Sequence, residues 1–314
     1  CKLEPDEVPG RAIIKLNKEF YECQTYLAFD GEREIDRTTG MKEFIEDANS
    51  RYEGRKVAER IPYIPELVTE SHINSQIQDN GKNYTLAIGY NFSNTKPIYL
   101  SLIEHPMIGL YGKAQSGKSN MVRYIISTLS CNKEKYPFEM YIIDGLDKKY
   151  ESYKENDSTI KYSMNPGEAI GMVKDIHAKI EKRYQMTMAG DLGFLNEEKM
   201  IVFIINSEAA YLAISEDKAV FALFKNIVKL YKGMKVCVII PAIENAPIGF
   251  TSCDVIKCFR DDKVLFMFDN IEEQKFFDVT LSMKKQFSKK VREGEGYLLV
   301  NNELSKIKTP LCAK

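Results

Sequence analysis

The segment GLYGKAQSGKSN, residues 109–120, constrains the fold more than any other stretch of this chain. Gly112, four intervening residues (Lys113, Ala114, Gln115, Ser116) and then Gly117-Lys118-Ser119 match G-x-x-x-x-G-K-[ST]. The two glycines let backbone N–H groups turn inward around a polyphosphate, and a helix opening there adds about half a positive charge. In that arrangement Lys118 reaches the β and γ phosphates and the Ser119 hydroxyl ligates Mg²⁺. The motif requires a strand before it and a helix after it. The apolar run MIGLYG and the segment NMVRYIISTLS provide both. Residues 112–120, ending at Asn120, are therefore the expected nucleotide-binding set, with ATP and Mg²⁺ the expected ligands.

The surrounding pattern agrees with such a loop. FEMYIID (138–144), KMIVFIIN (199–206), KVCVIIP (235–241), VLFMF (264–268) and GYLLV (296–300) read as buried strands. Helices are expected over about 167–185, with Val173, Ile176, Ile180 and Tyr184 on one face, and over 218–233, stopped by Gly233. Strands this continuously apolar, alternating with helices, indicate a sheet covered on both faces and mostly parallel. The expected class is α/β, a P-loop NTPase with a small lead-in. That lead-in spans residues 1–95 and packs on a core domain of residues 96–314. In it, RAIIKL (11–16) and TYLAF (25–29) read as strands, and 41–60 as a helix with Phe44, Ile45, Ala48 and Tyr52 on one face. The prolines of IPYIPEL break any helix. YTLAIGYN and PIYLSL form a strand pair around an Asn-rich turn.

Hydrolysis of the bound phosphate needs more than a cradle. A carboxylate at the end of a neighbouring apolar strand holds Mg²⁺ through water, and a second one beside it polarises the attacking water. Here MIVFII ends in Asn206-Ser207-Glu208. Asn206 occupies the expected Asp position, and a neutral amide neither balances Mg²⁺ nor acts as a base. Glu208 is the substitute if the strand end turns favourably, so Lys118, Glu208 and the degenerate position Asn206 are the catalytic candidates. Asp144 reads as a strand-end or cap carboxylate. After KVCVII the residue that often senses the γ-phosphate is replaced by Pro241, with Asn245 a distant candidate. Arg183 and Arg260 are arginine-finger candidates toward a neighbouring subunit, and Arg183 reads better as a packing or salt-bridge residue. Whether this domain is an active enzyme stays open.

Charge and cysteine usage narrow the partners. With 44 basic and 45 acidic residues the formal net charge is −1, which gives no basic footprint for nucleic acid. The one basic run, MKKQFSKKVR (283–292), reads as a solvated helix face. Seven dispersed cysteines and three scattered histidines make no metal cage and fit reduced thiols. Cys237 reads as a core residue. No apolar run reaches the roughly 18 residues of a membrane span. The first residue is Cys1, so a piece of a longer protein is expected, with any anchor outside it.

Four segments in order, VPGRAIIKLN, ERIPYIPELV, LYGKAQSGKSN and KIEKRYQ, resemble the EssC/EccC ATPases of type VII (ESX) secretion, in the FtsK/SpoIIIE-like branch of P-loop motors. The resemblance covers nearly the whole chain and is nearest to the last ATPase domain of a Gram-positive EssC. It implies a RecA/FtsK-like sheet, ATP binding and assembly into a homo-oligomeric ring. It further implies preceding ATPase domains in the same chain, and export, with recruitment, of small WXG100-type substrates at the cytoplasmic face of a bacterial membrane. Its Walker A residues carry over to Gly112, Gly117, Lys118 and Ser119, whereas its Walker B acid does not carry over to Asn206. Three readings follow: a nucleotide-responsive binding module, a motor using Glu208 or a neighbouring subunit, and a DNA translocase, which the near-neutral charge disfavours. SCDVIKCF (252–259) and the tail after 301 are candidates for a substrate surface on position alone.

Overall fold

A computed structural model describes residues 10–26, 28–52, 54, 62–74, 84–154, 159–241, 243, 252–260, 263–287 and 290–312. Two compact units divide between Ile61 and Pro62. In the first, β1 (Arg11–Leu16) and β2 (Glu19–Gln24) pair antiparallel around Asn17 and Lys18, both at positive φ. Two left-handed residues form the tight turn whose twist suits a hairpin. That turn starts the second strand directly, so it is EFYECQ and not TYLAF. Phe29 of TYLAF instead packs edge-on against Phe44 at 5.8 Å. Phe44 belongs to α1 (Glu34–Arg51), which begins seven residues before the expected start. Glu34 and Asp36 in its first turn favour that earlier beginning. Residues 55–60 of the expected helix lie outside the described residues. No residue of α1 is buried, so the Phe44–Ile45–Tyr52 face is not a core face.

The second unit holds a ten-stranded sheet. Its strands are β3 (Thr85–Asn91), β4 (Pro97–Ser101), β5 (Met107–Tyr111), β6 (Phe138–Ile143), β7 (Ile160–Ser163), β8 (Met200–Ile205), β9 (Val236–Ile240), β10 (Val264–Met267), β11 (Glu295–Val300) and β12 (Glu303–Lys308). Their order is β4-β3-β12-β11-β10-β5-β9-β8-β6-β7. The six from β10 to β7 run parallel, and β11, β12, β3 and β4 extend them antiparallel. The expected boundary at 95/96 thus falls between two strands paired in one sheet: β3 belongs with the core. Its Gly89 lets the backbone of Lys308 approach to where a Cβ would sit, 2.4 Å away.

Every residue of β5, β8 and β9 is buried. Their alternate side chains enter two separate cores, which explains runs without polar alternation. One core is closed by α3 (Lys118–Cys131), through Met121, Val122, Ile125, Ile126 and Leu129. The other is closed by α4 (Glu168–Met188), α6 (Glu208–Glu216) and α7 (Lys218–Lys225). Helix α4 buries Val173, Ile176 and Ile180 as its period predicts. Helix α7 passes into a π-helical turn, Asn226–Leu230, before Gly233 at φ +89° turns the chain out. Among the described residues there are four shorter helices besides: α2 (Glu70–Asn74), α5 (Leu192–Glu197), α8 (Asp254–Lys257) and α9 (Leu281–Gln286). Lys284 and Lys285 of the basic run are exposed on α9.

Candidate nucleotide site

In parallel sheets, ligands lie beyond the carboxyl ends of the strands. Here β5 delivers Gly112, β6 Asp144, β8 Asn206, and β10 Phe268 and Asp269 to that edge. The loop after β5 is tightly wound: Gly112 has φ +155°, Gln115 +62° and Gly117 +110°. A Cβ on Gly112 would stand 2.4 Å from the Ser116 Oγ, so only glycine closes this turn. Gly117, in the left-handed region, opens α3. The buried Ser116 hydroxyl has no protein hydrogen-bond partner. A wound backbone, an orphaned hydroxyl and a helix start are features a phosphate group fits.

Lys118 Nζ donates to the carbonyl of Lys113 at 2.7 Å and to that of Gly112. Burial pushes its ammonium below the ordinary lysine value and nearby Lys149 adds to the fall, with Asp269 opposing. A half-buried cation disfavoured by desolvation and by a second cation is one that an added anion stabilises. Lys113 turns away: it pairs with Asp269 (3.4 Å) and with Glu273. The hydrogen bond to Glu273 holds the Lys113 ammonium above its usual value.

The loop borders two hollows. One, of about 420 Å³, is lined by Gly112, Lys118, Asn206, Ser207, Glu208 and Tyr211, among others. It brings together the three catalytic candidates. Glu208 is exposed in the first turn of α6, behind Ser207, whose Oγ accepts from the Ala210 N–H at 3.4 Å. The other hollow, of about 830 Å³, runs from Lys113, Gln115 and Asn120 to Phe268, Asp269, Arg292 and Pro310, within the size range of small-molecule sites.

Asp144 does not reach either hollow's lining. It is 1% exposed and accepts four hydrogen bonds. Oδ1 takes the Gly145 N–H (2.9 Å) and Asn206 Nδ2 (2.7 Å), and Oδ2 the Tyr150 N–H (2.8 Å) and the Tyr162 hydroxyl (3.2 Å). Burial, and then the Asp144 charge, push the Tyr162 phenol up to about 12. The Tyr150 phenol, also raised by burial, makes no hydrogen bond of good geometry, and the adjacent Ser119 offsets only part of the rise.

Arg183 is 2% exposed and spends its guanidinium inside the fold: Nε and Nη2 meet Glu198 at 3.0 and 2.9 Å, and Nη1 donates to the carbonyls of Met234 and Lys235. Its guanidinium is spent on partners of the same chain, in keeping with the packing or salt-bridge reading. Arg260 is exposed beside Lys225, Lys229 and Lys257. Asn245 lies outside the described residues, and Cys237 is fully buried on β9. Two features escaped the sequence reading. Asp269 was signalled only by a polar residue closing an apolar strand. The Asn120 side chain spans 190 positions to accept from Cys312 N–H (2.9 Å) and donate to Pro310 C=O (2.7 Å).

No protein-family model matches the chain. Over 97% of its length it is 22% identical to the ESX secretion system protein EccC of Geobacillus thermodenitrificans, and over 99% it is 22% identical to the ESX secretion system protein YukB of Bacillus subtilis. It spans about one fifth of the length of each. Among solved structures it superposes on ATPases 2 and 3 of G. thermodenitrificans EssC with TM-score 0.71 and 20% identity, covering all of this chain and 57% of that one. On ATPases 2 and 3 of Thermomonospora curvata EccC, solved with a signal sequence peptide, the TM-score is 0.59 at 15% identity, covering 99% of this chain and 54% of that one. The chain resembles EssC/EccC secretion ATPases end to end, and its fold is that of their P-loop domains. Among the described residues no helix is long and apolar enough to cross a membrane.

Proposed function

We propose that this chain is an ATP-binding domain of a type VII secretion motor, holding MgATP at Gly112–Asn120 and hydrolysing it weakly or not at all by itself. The observation that carries this reading is the pairing of a half-buried Lys118 in a wound glycine loop with an amide, Asn206, at the strand end across the hollow. Ser119, second residue of α3, is the Mg²⁺ ligand the motif assigns. Bound nucleotide then acts chiefly by stabilising one shape of the domain. The ESX relatives are about five times longer, which supports further ATPase domains of the same chain as partners. The likeness to the cytoplasmic domain of EssC supports a position at the cytoplasmic face of a bacterial membrane, and a ring of copies rests on the resemblance alone. The signal sequence peptide bound to the Thermomonospora relative supports a share in recruiting secreted substrates, which the resemblance implies are of the WXG100 type.

A second reading, a fully active motor domain, is favoured by one fact: Glu208 lines the same hollow as Lys118. The two separate by measurement. Saturating MgATP at about 100 times Kd should raise stability by about 2.7 kcal/mol, seen as a thermal shift, and Lys118→Ala should abolish it. Turnover should stay near background. Brisk turnover that Glu208→Gln removes would establish the motor reading instead, and absence of nucleotide uptake would end both.

A further inference from the structure

The position that reads as a lost acid is coupled to an acid on the neighbouring strand. Asn206 closes β8 with its N–H donating to the carbonyl of Ile143 (2.8 Å), and its Nδ2 donates to Asp144 Oδ1 at 2.7 Å. Asp144 accepts from four donors, and the end of the Asn206 amide that faces it is the N–H₂. The other end, Oδ1, is not the one on Asp144, and Asn206 is among the residues that line the hollow with Gly112, Lys118 and Glu208. An amide whose N–H₂ donates to a carboxylate has a more electron-rich carbonyl, as charge-assisted hydrogen bonds polarise their partners. Amide carbonyl oxygens are ordinary ligands of hard cations and of the water around them.

Resting on the nucleotide-site reading above, we propose that Asn206 Oδ1 is an oxygen partner for the water shell of the nucleotide's Mg²⁺, with Asp144 the positioning residue that turns and polarises it. The strand end is then a neutral version of the usual acidic one, with its charge set one strand back. Asp144 plays the part that outer carboxylates play behind metal-binding imidazoles. A direct consequence is that restoring an acid at 206 alone cannot work well. It would place two carboxyl groups at hydrogen-bond distance, where like charges either push apart or share one proton.

The test compares binding of a fluorescent ATP analogue with Mg²⁺ and with EDTA. The ratio of the two affinities cancels losses common to both conditions. Asn206→Ala and Asp144→Asn should each lower that ratio by about tenfold, although Asp144 lines no hollow. Asn206→Asp alone should not raise it. The reciprocal swap, Asp144→Asn with Asn206→Asp, keeps one amide–carboxylate bond and should restore the ratio to the wild-type value or above. An unchanged ratio in Asn206→Ala, or a single Asn206→Asp that outperforms the swap, would overturn the inference while leaving nucleotide binding intact. A wild type that binds no nucleotide in either condition would overturn the proposed function along with it.

Discussion

Asp144 and Arg183 are both almost wholly buried, and each is held by hydrogen bonds within the protein. Their removal therefore leaves orphans. Arg183→Ala strips Glu198 of its cation and the Met234 carbonyl of its donor, and should cost about 2–4 kcal/mol in urea denaturation. Arg183→Met, which keeps the packing of the stem, should cost less. The sequence made one half of the Asp144–Asn206 pair legible. An amide at the end of MIVFII stands out because an acid is expected there. Asp144 reads as a strand-end or cap carboxylate, but its pairing with Asn206 was not legible, since the two are 62 positions apart and only the β6–β8 register, Ile143 beside Ile205, brings them together. Strand register is not written in one sequence.

At the scale of elements, long apolar strands and the amphipathic α4 were readable because burial on both faces or on one leaves a periodic record. The strands β7 (IKYS) and β12 (ELSKIK) were missed, being short or carrying polar residues at partly exposed positions. Between β11 and β12, Glu295 meets Lys306 at 2.7 Å with both side chains largely buried. Burial raises the Glu295 carboxyl, but the Lys306 hydrogen bond and the Arg292 N–H outweigh it and hold it below its ordinary value. A depressed carboxylate stabilises fully above the unfolded value of about 4.3 and loses that contribution as pH falls through the lower folded value. Thermal denaturation should thus show wild type and Lys306→Met converging below about pH 4 and separating above it. Asn120→Ala, which removes both bonds to the tail, should cost about 1–2 kcal/mol and speed amide exchange at Cys312.

For the whole molecule, the sheet order sets where chemistry can occur. Strand β9 lies between the loop strand β5 and β8, so the phosphate loop and Asn206 face each other across a strand that ends in Pro241. The parallel half was readable from alternation of apolar strands and helices. The antiparallel extension was not, because β3 and β4 precede the glycine loop in sequence and join the sheet through β12, more than 200 positions later. A formal charge of −1 predicts that any duplex DNA binding seen at low salt is lost by about 200 mM salt, which a filter-binding titration would check.

The tail braced by Asn120 has a mechanical meaning. Leu311 donates its N–H to the carbonyl of Val68 at 2.8 Å, and Thr69 bridges to Leu311. Residues 68–69, residues 310–312 and the opening turn of α3 are thus joined in series. Tension applied to the chain upstream of Val68 would therefore meet these two short lashings before it met the helix that follows the glycine loop.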